Sequence, residues 1–235
     1  MKKHDLTKRP RETALDAAHT VVKAALGSVP VVGSAASELF AAIVTPPIVR
    51  RRDEWVESIA RGLEQLRASE GLDYDELSRN ETFISMVLHA TQAALRSHQQ
   101  EKLDALRNAV LNSARPGAPE DDLQLMFLGF VDTFTPWHLR MAFYLDSPAS
   151  WCKQHDVNYG HPMAGAPSTV LELAFPELRG RRDFYDQLAK DLYARGLLTT
   201  ESLHTMVTGD DMVASRTTGM GKVFLEFVSE PASSK

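Results

Sequence analysis

The sequence predicts an almost entirely α-helical protein, and three observations lead there. Apolar residues recur at helical spacing along most of the chain. Helix starts are written as a hydroxyl residue before proline at Thr45-Pro46, Thr135-Pro136 and Ser147-Pro148. Neither Gly nor Pro interrupts the stretch from Glu81 to Ala114. The expected architecture is an N-terminal helical bundle over residues 1–156 that opens with a small-residue hairpin. A linker at 157–168 follows, then a winged-helix-like module at 169–230.

The hairpin occupies Ala14 to Arg52, with its break at Gly27-Ser28-Val29-Pro30, where Gly27 suits a helix C-cap and Pro30 cannot continue a helix. Its second arm carries an apolar stripe of Val32, Ala36, Leu39, Phe40 and Ile43. Gly33, Ser37 and Ala41 add a row of small residues that admits close helix packing. Thr45-Pro46 is expected to begin a new amphipathic helix reaching Ala68, with the apolar pattern Ile48, Trp55, Val56, Ile59, Leu63 and Leu66 and with Arg50, Arg51 and Arg52 on the other face.

Gly71-Leu72-Asp73 makes a turn, and Ser78 with Glu81 has capping-box spacing. The stretch from Glu81 to Ala114 places Ile84, Leu88, Leu95, Leu103, Leu106 and Val110 on roughly one face. Seven polar residues from Arg96 to Lys102 allow either one rod or two helices with a bend near Ser97 to Gln100. After a loop at 115–119, Leu123, Met126, Phe127, Phe130, Val131 and Phe134 form the most apolar helix, expected to be buried. Helices from Pro136 to Leu145 and from Pro148 through Cys152 follow.

Beyond the linker the expected order is a helix from Asp183 to Arg195 closed by Gly196, then a short helix from Glu201 to Val207. A turn at Gly209-Asp210-Asp211, a strand from Met212 to Arg216 and a last helix capped by Thr218 complete it. That order is what makes the module winged-helix-like.

Composition narrows the function classes. The 235 residues carry 26 Lys and Arg against 31 Asp and Glu, a net charge of -5, which argues against a general nucleic-acid binder. One cysteine, Cys152, excludes an internal disulfide and fits a reducing compartment, so a cytoplasmic protein is expected. The basic start (Lys2, Lys3, Lys8, Arg9, Arg11) mimics a signal peptide, but Asp16, His19 and Lys23 interrupt the apolar run behind it. Glu38 burdens the second arm in the same way, so no stable membrane span is expected.

Candidate chemistry is sparse. Cys152, His155 and His161 have metal-ligand residue types but not the paired spacing of a zinc site. No GxGxxG, P-loop, HExxH or GxSxG occurs. The expectation is therefore a non-enzymatic protein without catalytic, cofactor or metal residues.

A recognition helix in the terminal module would need basic or amide side chains. The segment from Thr199 to Asp211 has Glu201, Asp210 and Asp211 and no Lys or Arg, with only Arg216 and Lys222 nearby. A protein-facing module is favoured, and a winged-helix DNA-binding regulator is the alternative. The residues singled out for interaction are Arg50, Arg51 and Arg52 with Leu39, Phe40 and Ile43. They read either as a solvated helix end, with Asp53 and Glu54 partly neutralising the arginines, or as a contact for anionic lipid.

The segments Pro46-Pro47-Ile48, Arg51-Arg52-Asp53-Glu54-Trp55, Arg107-Asn108-Ala109-Val110-Leu111-Asn112 and Thr135-Pro136-Trp137-His138-Leu139, with Leu192 to Leu198, Thr217-Thr218 and Gly221, complete the picture. On these the chain resembles uncharacterised bacterial helical proteins and, more distantly, abortive-infection proteins of the alpha type. The resemblance implies a bacterial cytosolic protein linked to phage defence; the expected function is a non-enzymatic interaction or effector protein of such a conflict system, acting through helical surfaces on a protein partner or on itself, with peripheral membrane contact left open. It assigns no functional residue.

Overall fold

The computed structural model describes residues 34–160 and 162–232, with the side chains of 34–41 and 46 outside that description. The first hairpin arm, its break, the basic start and His161 lie outside the described residues. The chain divides into two compact units, Met1–Val56 and Glu57–Lys235. Mainly helical architecture is what the residue patterning predicts, and it is what the fold has, with one two-stranded ribbon among the described residues.

Helix α1 runs from Ser34 to Glu70 without a break at Thr45-Pro46, where a new helix was expected. Proline φ is compatible with a helix; what Pro46 and Pro47 remove is the amide donors for the carbonyls of Ala42 and Ile43. Both of those residues are exposed, so water can serve their carbonyls and the helix continues.

Helix α2, Tyr74–Leu77, is capped by Asp73, whose Oδ1 accepts the N–H of Asp75 at 2.8 Å. Helix α3, Glu81–Arg96, is capped by Asn80, whose Oδ1 accepts the N–H of Phe83 at 3.0 Å. The expected capping box at Ser78 does not form, because the Ser78 hydroxyl donates instead to the Asp75 carbonyl. Helix α4, Gln100–Ser113, follows a break at residues 97–99, so the two-helix alternative holds.

Helix α5 spans Asp121–Thr133, α6 Pro136–Asp146 and α7 Pro148–Gln154. The hydroxyl-proline pairs at 135–136 and 147–148 start α6 and α7 as read from the sequence. Strand β1, Ala164–Gly165, pairs antiparallel with β2, Val207–Thr208, in the register Ala164 to Thr208. Helices α8, Pro167–Ala174, and α9, Arg182–Ala194, lie between them, and α10, Gly219–Val228, closes the fold.

The centre of the second unit is α4, which packs against α3, α5, α6 and α10. It is buried nearly all round, including Asn108 and Asn112. These two amides, one turn apart, reach the last turn of α10. Asn108 Nδ2 donates to the Val228 carbonyl at 3.1 Å, and Asn112 Nδ2 donates to those of Phe227 at 2.9 Å and Ser229 at 2.8 Å. Helix-terminal carbonyls that have no intrahelical donor are thereby satisfied in the interior. The C-terminal half of α1 is tied to the same helix by Arg107 Nε on the Ser58 carbonyl, and Arg115, just beyond α4, forms a 2.8 Å ion pair with Glu70.

Helix α5 faces this centre with Phe127, Leu128, Phe130 and Val131. Met126, expected to be buried, is exposed, and Leu123 is half-buried. Only one face of α5 meets α3 and α4, and these two side chains fall at its margin.

The terminal region departs from the expected order in two places. Residues 201–206 are not helical, and Val207 enters β2. The Thr200 hydroxyl accepts the N–H of Ser202 and donates to its carbonyl, and the Ser202 hydroxyl accepts the N–H of His204, so local side chains take the bonds a helix would need. The strand expected at 212–216 is also not formed: residues 210–213 make a 3-10 turn, and the Arg216 N–H donates to the Leu145 carbonyl. Gly196, with φ of 72°, and the Thr218 cap on α10 are as read from the sequence.

Candidate functional site

The interaction residues singled out on the first unit are only partly legible. Ile43 is 64% exposed, and the side chains of Leu39 and Phe40 lie outside the described residues. Arg50 pairs with Glu54 at 3.7 Å and Arg52 with Asp53 at 2.8 Å, while Arg51 is also engaged. The neutralisation of the arginines by the two neighbouring acids is thus realised for Arg50 and Arg52. No helix among the described residues is long and apolar enough to cross a membrane.

Arg216 is buried, and its guanidinium donates to the carbonyls of Ala214 and Asp211 at 2.6 and 2.7 Å. His204 Nε2 lies 2.7 Å from Asp186. Cys152 is buried, and burial pushes its thiol above the ordinary range, the opposite of what a nucleophile needs. The His155 ring stacks on Trp151 at 3.8 Å. Among the described residues no three His, Cys, Asp or Glu side chains are grouped as metal ligands.

A different surface stands out on the second unit. Helix α3 carries two apolar faces. Phe83, Met86, Ala90, Ala93 and Ala94 are the buried one, set against α4 and α5. Ile84, Val87 and Leu88 form a second, and Leu88 is 58% exposed. The reason is steric: alanines allow close helix contact, so the Ala and Met face takes the core and the branched face is left outside.

That second face is one wall of an open groove of about 440 Å³. The opposite wall is Ala60, Leu63 and Glu64 of α1, and Tyr74, Leu77 and Ser78 close one side. Arg67 lies 4.8 Å over the Tyr74 ring and holds that ring in place. Glu64, Ser78 and the hydroxyl of Tyr74 are the polar groups of a lining that is otherwise apolar. What the groove offers is apolar contact along two helices. Two apolar stripes on one helix mean two partners; the core supplies one, and which stripe it takes is not written in the local pattern.

A second cluster is structural. His138, three residues into α6 from its cap, accepts the Thr135 N–H on Nδ1 at 3.1 Å, while Nε2 faces Asp191 Oδ2 at 3.2 Å. This fixes the neutral tautomer with its proton on Nε2. Burial pushes the His138 pKa down, Asp191 opposes that, and Arg195 adds to it, leaving the value below the ordinary one. The unfolded chain therefore takes up this proton more readily than the folded one. The stability His138 contributes is complete above the ordinary histidine pKa of about 6.5 and is lost as pH falls toward its lowered folded value. Urea melts from pH 8 down to about 5 should show this loss, and His138→Gln, which keeps an acceptor for Thr135, should flatten the profile.

No family model, curated protein or solved structure matches the chain.

Proposed function

We propose that this is a non-enzymatic interaction protein of a bacterial conflict or phage-defence system, working by docking a partner helix in the groove between α1, α2 and α3. The observation that supports the reading is the second apolar face of α3, on which Ile84, Val87 and Leu88 line an open groove instead of a core. Helix-in-groove recognition uses such a surface, with anchors spaced as on one face of the incoming helix.

Leu88→Asp tests the reading, since Leu88 is exposed and the variant should fold as the parent does. In bacteria carrying the gene, Leu88→Asp should abolish protection against phage, with unchanged protein level and melting temperature. A photo-crosslinking residue at position 88 should join one discrete protein in the same cells. Full protection by the variant, with no crosslink, would overturn the reading.

Binding to anionic lipid has less support, because Arg50 and Arg52 already have acidic partners. A DNA-binding regulator also has less support, since Arg216 is buried on carbonyls and residues 201–206 present no helix.

A further inference from the structure

We propose that the occupant of the groove is a basic amphipathic helix of a partner protein, apolar on the side that enters and rich in lysine or arginine at its margins. The inference rests on the helix-docking reading above and adds the chemistry of the partner. Between residues 57 and 88 the chain carries seven acids, Glu57, Glu64, Glu70, Asp73, Asp75, Glu76 and Glu81, against three arginines at 61, 67 and 79. Arg61 pairs with Glu57, Arg67 lies over Tyr74 and Glu70 is held by Arg115, which leaves five acids against Arg79.

The acids that matter most are Glu64, in the groove lining, and Glu81, outside that lining at the start of α3. Glu64 stands in the α1 wall. Glu81 is three and seven residues before Ile84 and Leu88, so it continues their stripe on α3. Among the described residues neither Glu64 nor Glu81 has an ion-pair partner. An incoming helix with leucines at i, i+3, i+4 and i+7 meets the apolar floor of Leu77, Phe83, Ile84 and Val87, and lysines beside that stripe meet Glu64 and Glu81. An acidic helix with the same leucines would bring like charges together at both walls, which sets the selectivity.

The experiment uses the full chain and two fluorescent synthetic peptides of about 18 residues, long enough to hold a helix. Both carry the same leucine stripe; one has lysine and the other glutamate at the flanking positions. The lysine peptide should bind, and the glutamate peptide about tenfold or more weakly. Binding of the lysine peptide should weaken several-fold between ~0.05 and ~0.5 M salt. Leu88→Asp should abolish binding although it adds an acid, which separates groove docking from general attraction to an acidic protein. The double charge reversal Glu64→Lys with Glu81→Lys, both at exposed positions, should reverse the preference between the peptides.

Equal affinity for both peptides would overturn the partner chemistry. So would no binding of the lysine peptide while crosslinking at position 88 still captures a protein, and in that case the docking reading survives. Absence of both binding and crosslinks would remove the two together. A dimer that Leu88→Asp converts to monomer would assign the groove to a second copy of this chain and overturn the inference.

Discussion

Phe127→Ala is expected to lower stability by about 3–5 kcal/mol, the range for deleting a buried aromatic ring. The ring is fully buried and is the meeting point of α5 and α10. It packs edge-on against Phe224 at 5.5 Å and is tilted against Phe227 at 6.0 Å and Phe130 at 6.2 Å. Truncation removes the transfer term, leaves a cavity between rigid rings, and forfeits three aromatic contacts of about 0.5–1.5 kcal/mol each that overlap with it. Since a domain of this kind has about 5–15 kcal/mol in all, the variant should lose a large share of its margin. Urea denaturation read by far-ultraviolet circular dichroism measures it. A midpoint equal to the parent's would mean that α10 is not docked on α5.

Gly221→Ala should also destabilise, by about 1–3 kcal/mol, although alanine is the better helix former by about 1 kcal/mol. Gly221 sits in the first turn of α10, where its N–H donates to the Thr218 hydroxyl at 2.9 Å. A methyl there would lie 2.2 Å from the Leu197 carbonyl oxygen and 2.5 Å from Thr217 Cγ2. The carbonyl cannot yield cheaply, because it accepts the Thr218 N–H at 3.0 Å and so helps hold the start of the helix. Overlap with backbone therefore outweighs propensity. Gly129 is the control: it lies exposed within α5, and a Cβ there would meet nothing within 4 Å. Gly129→Ala should raise stability by about 0.5–1 kcal/mol, so the same substitution in two helices of one protein should have opposite signs.

Local signals were legible where one residue type has one physical use. The hydroxyl-proline pairs at 135–136 and 147–148, Gly196 and Thr218 mark helix ends because capping and positive φ leave few alternatives. The polar run after Arg96 marked a real break for the same kind of reason. The prolines at 46 and 47 misled because exposure, which a local pattern does not report, decides whether lost amide donors matter. Thr200 and Ser202 misled because they can bond the nearby backbone whenever tertiary contacts do not favour a helix. Apolar periodicity gave faces but not which face wins: Leu88 shares its periodic face with Leu106 and Val110, yet it is exposed and they are buried, and the polar Asn108 and Asn112 are buried as well. The groove was invisible for that reason, since it exists only once the alanine face of α3 has taken the interior.

The two asparagines also bear on synthesis. Asn108 and its partner carbonyl are 120 residues apart in sequence. At the usual elongation rate of about 5–20 residues per second, a ribosome needs on the order of 10 s to make the chain between them. Over that interval α4 has emerged without the helix that covers one of its sides, and the two amides that α10 will bury face solvent in a nascent chain. The central helix of this unit is thus made long before the helix that completes its enclosure, which exposes the unfinished polypeptide to chaperones and to its neighbours on the same message.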